Sequence, residues 1–283
     1  MTNRINRVIE QAQKENRLAF IGLAPIMPQS MEKSLEVVDM LVESGVDIMM
    51  VHIVNWMPWM EGRTLQTAAR IPRHAGITRE DIFKFIKKIR EKYPAMPIID
   101  MTLYETALTM GQDRFLKLSE DAEVDGYDLP NYPLLQTDDK YGLYKWCIDN
   151  DRHLILNISY EEAMSVPGTI DYKLLEETCR LSRGFVFVMN APGGQSGSDK
   201  KLTNQQLKEA VANVKNMMKA KGNNDCTVSI VCGIRNEEDL NKLKESKAES
   251  FMIGSAYIDM ILEGKPLEEV AKYVKSIREM CNY

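Results

Sequence analysis

The chain has little phenylalanine (7 residues against 18 methionines), only 3 histidines, and no apolar run near the roughly 20 residues of a membrane-spanning helix. The missing run excludes an integral helical membrane protein. The opening residues Met1–Arg7 are polar and lead into an amphipathic segment, without the apolar core of a signal peptide. Five cysteines, at 147, 179, 226, 232 and 281, form no Cys-x-x-Cys pair, which predicts reduced thiols and a cytoplasmic location. Histidines as scattered as 52, 74 and 153 argue against a zinc site, so no resident metal or other cofactor is expected. Lys and Arg number 36 against 41 Asp and Glu, and a net charge of −5 gives no footprint for nucleic acid. No Gly-x-Gly-x-x-Gly follows an apolar run, which speaks against a dinucleotide-binding fold.

The 283 residues have ordinary globular composition, 44% hydrophobic and 27% charged. Eight short apolar runs begin at Leu18, Ile48, Pro97, Gly126, His153, Gly184, Thr227 and Ser250. Amphipathic segments separate them: Lys33–Ser44, Arg79–Tyr93, Gly111–Asp121, Gln136–Asn150, Asp171–Arg180, Thr203–Ala220, Glu237–Glu245 and Pro266–Cys281. A further helix, Ile5–Glu15, precedes the first run. Strict alternation of this kind predicts βα units and a parallel sheet. Eight units in this length predict an α/β fold, a (β/α)8 TIM barrel with an extra N-terminal helix, as one domain over 1–283. Its functional site then lies at the C-terminal strand ends.

Glycine-rich turns follow the last three runs: Asn190-Ala191-Pro192-Gly193-Gly194-Gln195-Ser196-Gly197, Cys232-Gly233-Ile234-Arg235, and Ile253-Gly254-Ser255-Ala256. Glycines let backbone N–H groups approach an oxyanion, and a helix N-terminus adds a favourable dipole. One such turn alone reads as a tight βα connection. Three at consecutive strand ends predict a phosphate site and a phosphorylated small-molecule substrate.

At this point the sequence resembles the tryptophan synthase α subunit family, barrels that cleave indole-3-glycerol phosphate. The resemblance runs from about Arg4 to Gly264. It is carried by Ser44-Gly45-Val46-Asp47, by Glu61-Gly62-Arg63-Thr64-Leu65-Gln66 with Gly76-Ile77-Thr78, by Cys232-Gly233-Ile234, and by Ile253-Gly254-Ser255-Ala256. It implies that Gly197, Gly233, Ile234, Gly254 and Ser255 hold the substrate phosphate. It also implies a lyase-type enzyme. The family's catalytic Glu on the second strand falls here on Met50, and a thioether transfers no proton. The family's second carboxylate, an Asp, becomes Glu61. The Pro and Asp that communicate with the β subunit fall on Val54 and Met57, so the resemblance does not carry that partnership. The loop hydroxyl becomes Ser196 and an expected Tyr becomes Phe187.

Several residues could rebuild the reacting end. His52 follows Met50 by two residues and shares its strand face, which makes it a replacement acid/base or a packing histidine. Asp128, inside the fourth run, is costly to bury unless paired or functional. Asp100 ends the third run and is a further pocket candidate, and Asn190, like Asn131 and Asn157, reads as a substrate contact or a turn cap. Glu105 reads as a solvated loop residue. Trp56 and Trp59, among Met57 and Met60, would line an apolar pocket or a subunit interface, including one between copies of this chain. Three functions follow. The first is a stand-alone lyase-type relative using Glu61, His52 and Asp128. The second is a terpene cyclase or prenyltransferase acting on a prenyl phosphate or diphosphate, with Mg2+ held by Asp100 or Asp128. The third is a non-catalytic homologue that binds a phosphorylated ligand.

Overall fold

A computed structural model describes residues 3–27, 30–53, 62–132, 139, 141–194 and 200–283. The strands are β1 Ala19–Ala24, β2 Ile48–His52, β3 Ile98–Met101, β4 Gly126–Asp128, β5 His153–Ile155, β6 Asn157–Ile158, β7 Phe185–Met189, β8 Thr227–Val231 and β9 Ser250–Ile253. All pair in parallel, in the order β5-β4-β3-β2-β1-β9-β8-β7-β6. Because β5 and β6 are separated only by Leu156, the two ends of that order meet and the sheet forms a barrel. The fifth apolar run of the sequence is therefore one barrel position split in two. Its first half bonds to β4 and its second to β7.

Helices form the outer layer: α1 Arg4–Lys14, α2 Met31–Glu43, α3 Arg63–His74, α4 Arg79–Lys92, α5 Tyr104–Met110, α6 Gln112–Asp121, α7 Leu143–Asp149, α8 Tyr160–Ala163, α9 Ile170–Leu181, α10 Asn204–Ala220, α11 Glu237–Ser246, α12 Ser255–Leu262 and α13 Leu267–Glu279. Local chemistry sets their starts. Thr78 and Asp81 form a reciprocal capping box at α4, and Thr203 and Gln206 do the same at α10. In α4 the spacing of Ile82, Phe83, Phe85, Ile86 and Ile89 places one apolar face against the sheet, where all five are buried. Helices α3, α5, α8 and α12 go beyond the amphipathic segments read from the sequence, and Glu105 sits in the first turn of α5 rather than in a loop. None of the described helices is long and apolar enough to cross a membrane.

The extra helix α1 lies against the end of the barrel opposite the catalytic face of such folds. Asn3 donates to the carbonyls of Asp125 and Asp151, and Ile5 is fully buried. His153, at the start of β5, is buried with Nε2 2.8 Å from the Asn6 side-chain oxygen of α1. Its other ring nitrogen makes no well-formed hydrogen bond to a described residue, so protonation would place a poorly satisfied donor in the core. Burial, with the charge of Arg183 adding to it, pushes the His153 pKa down to about 4. The unfolded chain takes up this proton near pH 6.5 and the folded chain refuses it down to about 4, so stability is lost as pH falls through that window. The cost is on the order of 3 kcal/mol by pH 4. A His153→Gln variant is expected to show a flatter decline in melting temperature from pH 6.5 to 4 than the wild type. Parallel declines would contradict this.

Candidate active site

Residues at the C-terminal ends of β2, β3, β4, β6, β7, β8 and β9 surround a cavity of about 220 Å³. Strand register explains which side chains reach it. His52, Met101 and Asp128 are paired in one row across β2, β3 and β4, so the three side chains point the same way, and all three line the cavity. Met50 faces inward as well, but lies one layer deeper, fully buried in a row with Leu23 and Ile99.

Asp100 belongs to the alternate row, with Val51 and Tyr127. The Tyr127 ring packs on Phe115 and Trp146 of the helical layer, 5.7 and 6.2 Å between centroids. Asp100 therefore points out of the barrel, and the expectation that it lines the pocket is corrected. A strand turns successive side chains to opposite faces, and Asp100 is one residue out of phase. It is fully buried, both its oxygens lack hydrogen-bond partners among the described residues, and burial, then the charge of Asp128, raises its pKa well above the usual range. Among the described residues no group of three or more His, Cys, Asp or Glu is arranged to hold a metal ion.

Asp128 accepts a hydrogen bond of 2.8 Å from Asn157 Nδ2, and both line the cavity. Burial pushes the Asp128 pKa up to about 7, against the opposing effects of the Asn157 bond and the His52 charge. A carboxyl held protonated toward neutral pH thus faces the same cavity as the His52 imidazole. The remaining wall is apolar. Phe187 and three methionines from three strands, Met101, Met189 and Met252, make up much of it. The methionine surplus of the sequence is spent partly here, where an unbranched thioether fits irregular space.

The opposite wall is built by the turns after β8 and β9. Cys232 and Gly233 take successive left-handed conformations, φ +78° and +71°, which turns the chain sharply at the cavity edge. Asn190 is not part of the lining; its side chain donates to the Cys232 carbonyl at 3.3 Å and supports that turn. Gly254 lies so close to β1 that an added Cβ would stand 2.9 Å from Leu23 Cβ, so only glycine fits. It begins α12 without a side-chain cap, leaving first-turn N–H groups at Gly254, Ser255 and Ala256, all of which border the cavity. The Thr64 hydroxyl donates to Asp259 at 2.6 Å and ties α3 to α12. Glu61, Trp56, Trp59, Ser196 and Gly197 lie outside the described residues. Sequence reasoning gave no role to Arg235, Thr102 or Leu65, which also line the cavity. For Arg235 a signal was present, its place directly after the Gly233 turn.

A family model described as tryptophan synthase alpha chain matches residues 9–282. The chain belongs to this family. A tryptophan synthase alpha chain from Thermoanaerobacter sp. (strain X514) is 28% identical over 289 residues, covering 98% of this chain and 99% of the relative. One from Aquifex aeolicus (strain VF5) is 22% identical, covering 98% of each chain. The fold agrees with solved structures of tryptophan synthase subunit alpha from Legionella pneumophila, at a TM-score of 0.81 and 19% identity over 99% of each chain. It agrees equally with a chain of Mycobacterium tuberculosis tryptophan synthase, at 0.82 and 21% identity over the whole of both chains. Membership agrees with the barrel described above, in which Met50 and His52 lie on β2.

Proposed function

We propose that this protein is a lyase-type enzyme that grips a phosphorylated small molecule at the Gly233, Ile234, Gly254 and Ser255 wall, with Gly197 completing the grip, and transfers protons with His52 and Asp128. The observation that carries the reading is the shared row. His52 and Asp128 face one cavity, across from an uncapped helix N-terminus and two glycine turns.

Cleavage of a carbon–carbon bond next to a hydroxyl needs two proton transfers. A base takes the hydroxyl proton, the electron pair closes to a carbonyl, the bond breaks, and an acid protonates the departing carbon. Asp128, held protonated up to about pH 7 by burial, suits the acid, and His52 suits the base. Asn157 positions the Asp128 carboxyl by donating to it. Glu61, the other carboxylate carried by the family resemblance, is a candidate to hold the substrate's polar end. Because Val54 and Met57 replace the family's β-subunit contacts, the activity is expected without a β chain. A phosphorylated product and a cytoplasmic location accord with this reading.

The first substrate to test is indole-3-glycerol phosphate. Slow indole release is expected from the wild type, reduced about 100-fold or more in His52→Gln and in Asp128→Asn, since a positioned proton-transfer group contributes roughly that much. No release by the wild type, or undiminished release by the double variant, would overturn the reading. No observation favours the prenyl-phosphate or the non-catalytic function over this one.

A further inference from the structure

The phosphate-binding wall described above is built from backbone, yet it also carries a cation. Among the described residues lining the cavity, Arg235 is the one lysine or arginine. It directly follows Gly233 and Ile234, and its backbone is fixed on both sides. Its N–H donates to Asp239 Oδ2 at 2.9 Å, and its carbonyl accepts from the Tyr273 hydroxyl at 3.1 Å.

The carboxylate bonded to its backbone is already engaged. Asp239 Oδ2 takes the Arg235 N–H, and Asp239 Oδ1 takes the ammonium of Lys201 at 2.7 Å. Lys201, whose stem lies 3.2 Å from where a Gly233 Cβ would be, thus has its charge neutralised beside the turn. The Arg235 guanidinium makes no hydrogen bond or ion pair with any described residue, and the side chain is exposed at the cavity edge. A planar fork of N–H donors on a fixed backbone matches two oxygens of a phosphoryl group, and charge-assisted bonds of this kind are roughly twice as strong as neutral ones.

We propose that Arg235 is the phosphate-binding side chain of this pocket, adding a bidentate, charge-assisted grip on a phosphomonoester to the backbone cradle of Gly233, Gly254 and Ser255. The inference rests on the phosphate reading of the same cavity. It makes the charge of the ligand, and not only its shape, a determinant of selection.

The test is calorimetric titration of the full-length chain with sn-glycerol 3-phosphate, the simplest organic phosphomonoester, and with glycerol, at low and at moderate salt. The wild type is expected to bind the phosphate and not glycerol. Arg235→Gln should weaken binding about 10-fold and flatten its salt dependence, because an exposed ionic contact is screened by salt. Arg235→Lys should recover part of the loss, keeping the charge without the fork. Since the guanidinium bonds to no described residue, the melting temperature of Arg235→Gln should equal that of the wild type. Phosphate binding by the wild type with a change below twofold in Arg235→Gln overturns this proposal and leaves the backbone site intact. No phosphate binding by the wild type overturns the phosphate reading itself, and this proposal with it.

Discussion

An Asp128→Asn variant is expected to melt several degrees above the wild type at pH 8, with the gap narrowing steadily toward pH 4. The folded chain holds the Asp128 proton up to about pH 7, whereas the unfolded chain releases it near its ordinary value of 3.8. Between those values the unfolded state binds fewer protons, so folding stability falls as pH rises and the full cost is present above pH 7. The difference is on the order of 4 kcal/mol. Asparagine keeps an oxygen to accept from Asn157 and has no charge to bury. Lost lyase activity together with gained stability would mark Asp128 as a group kept for chemistry at the expense of the fold. Thermal melts of both proteins at half-unit pH steps decide the matter. Coincident curves at pH 8 would show that the carboxyl is ionised in the folded chain at little cost.

Arg90→Met is expected to have the opposite effect, a loss of about 3 to 5 kcal/mol, the range for removing one partner of a buried ion pair. Arg90 is 5% exposed and gathers the lower ends of β3 and β4. It donates to the carbonyls of Pro94, Met96 and Glu123 at 3.0, 2.6 and 3.0 Å, and to Asp125 Oδ2 at 2.7 Å. Asp125 also accepts from the Ile98 N–H and from Arg4 of α1, so one side chain links two strands, a turn and the added helix. Methionine fills the volume but leaves those carbonyls and a buried carboxylate short of donors. Urea unfolding monitored by far-UV circular dichroism measures the loss. A change below 1 kcal/mol would mean that water replaces the guanidinium.

The barrel was legible because its strands are short apolar runs set at a regular distance by amphipathic helices, and parallel strands buried on both faces have to read that way. Less regular parts were not. Helix α3 carries Pro72 inside its last turn and has only Leu65, Ala69 and Pro72 buried, too few to mark a face. The break at Leu156 is invisible in an unbroken apolar run, since it arises from pairing with two different neighbours. At the site, the two-residue step from Met50 to His52 placed the histidine, and its row-mate Asp128 followed from the register. Asp100 looked equally acidic and equally strand-bound, and only the pairing of Met101 with Asp128 shows that it is out of phase. The freedom of Arg235 depends on the bonds of Asp239, which no local pattern records.

The pairing of β1 with β9 sets a requirement on synthesis. Ala19 to Gly22 bond along one edge to Ser250 to Ile253, and Leu18 donates to the carbonyl of Cys281, so the first strand waits for the last eighth of the chain. Until the ribosome has released that segment, the nascent barrel has β1 bare on one side, an apolar ribbon able to recruit a stray strand. A chain stopped before residue 250 therefore has seven of its eight wall positions and no ring, and the helix start at Gly254 that borders the cavity is among the residues it lacks.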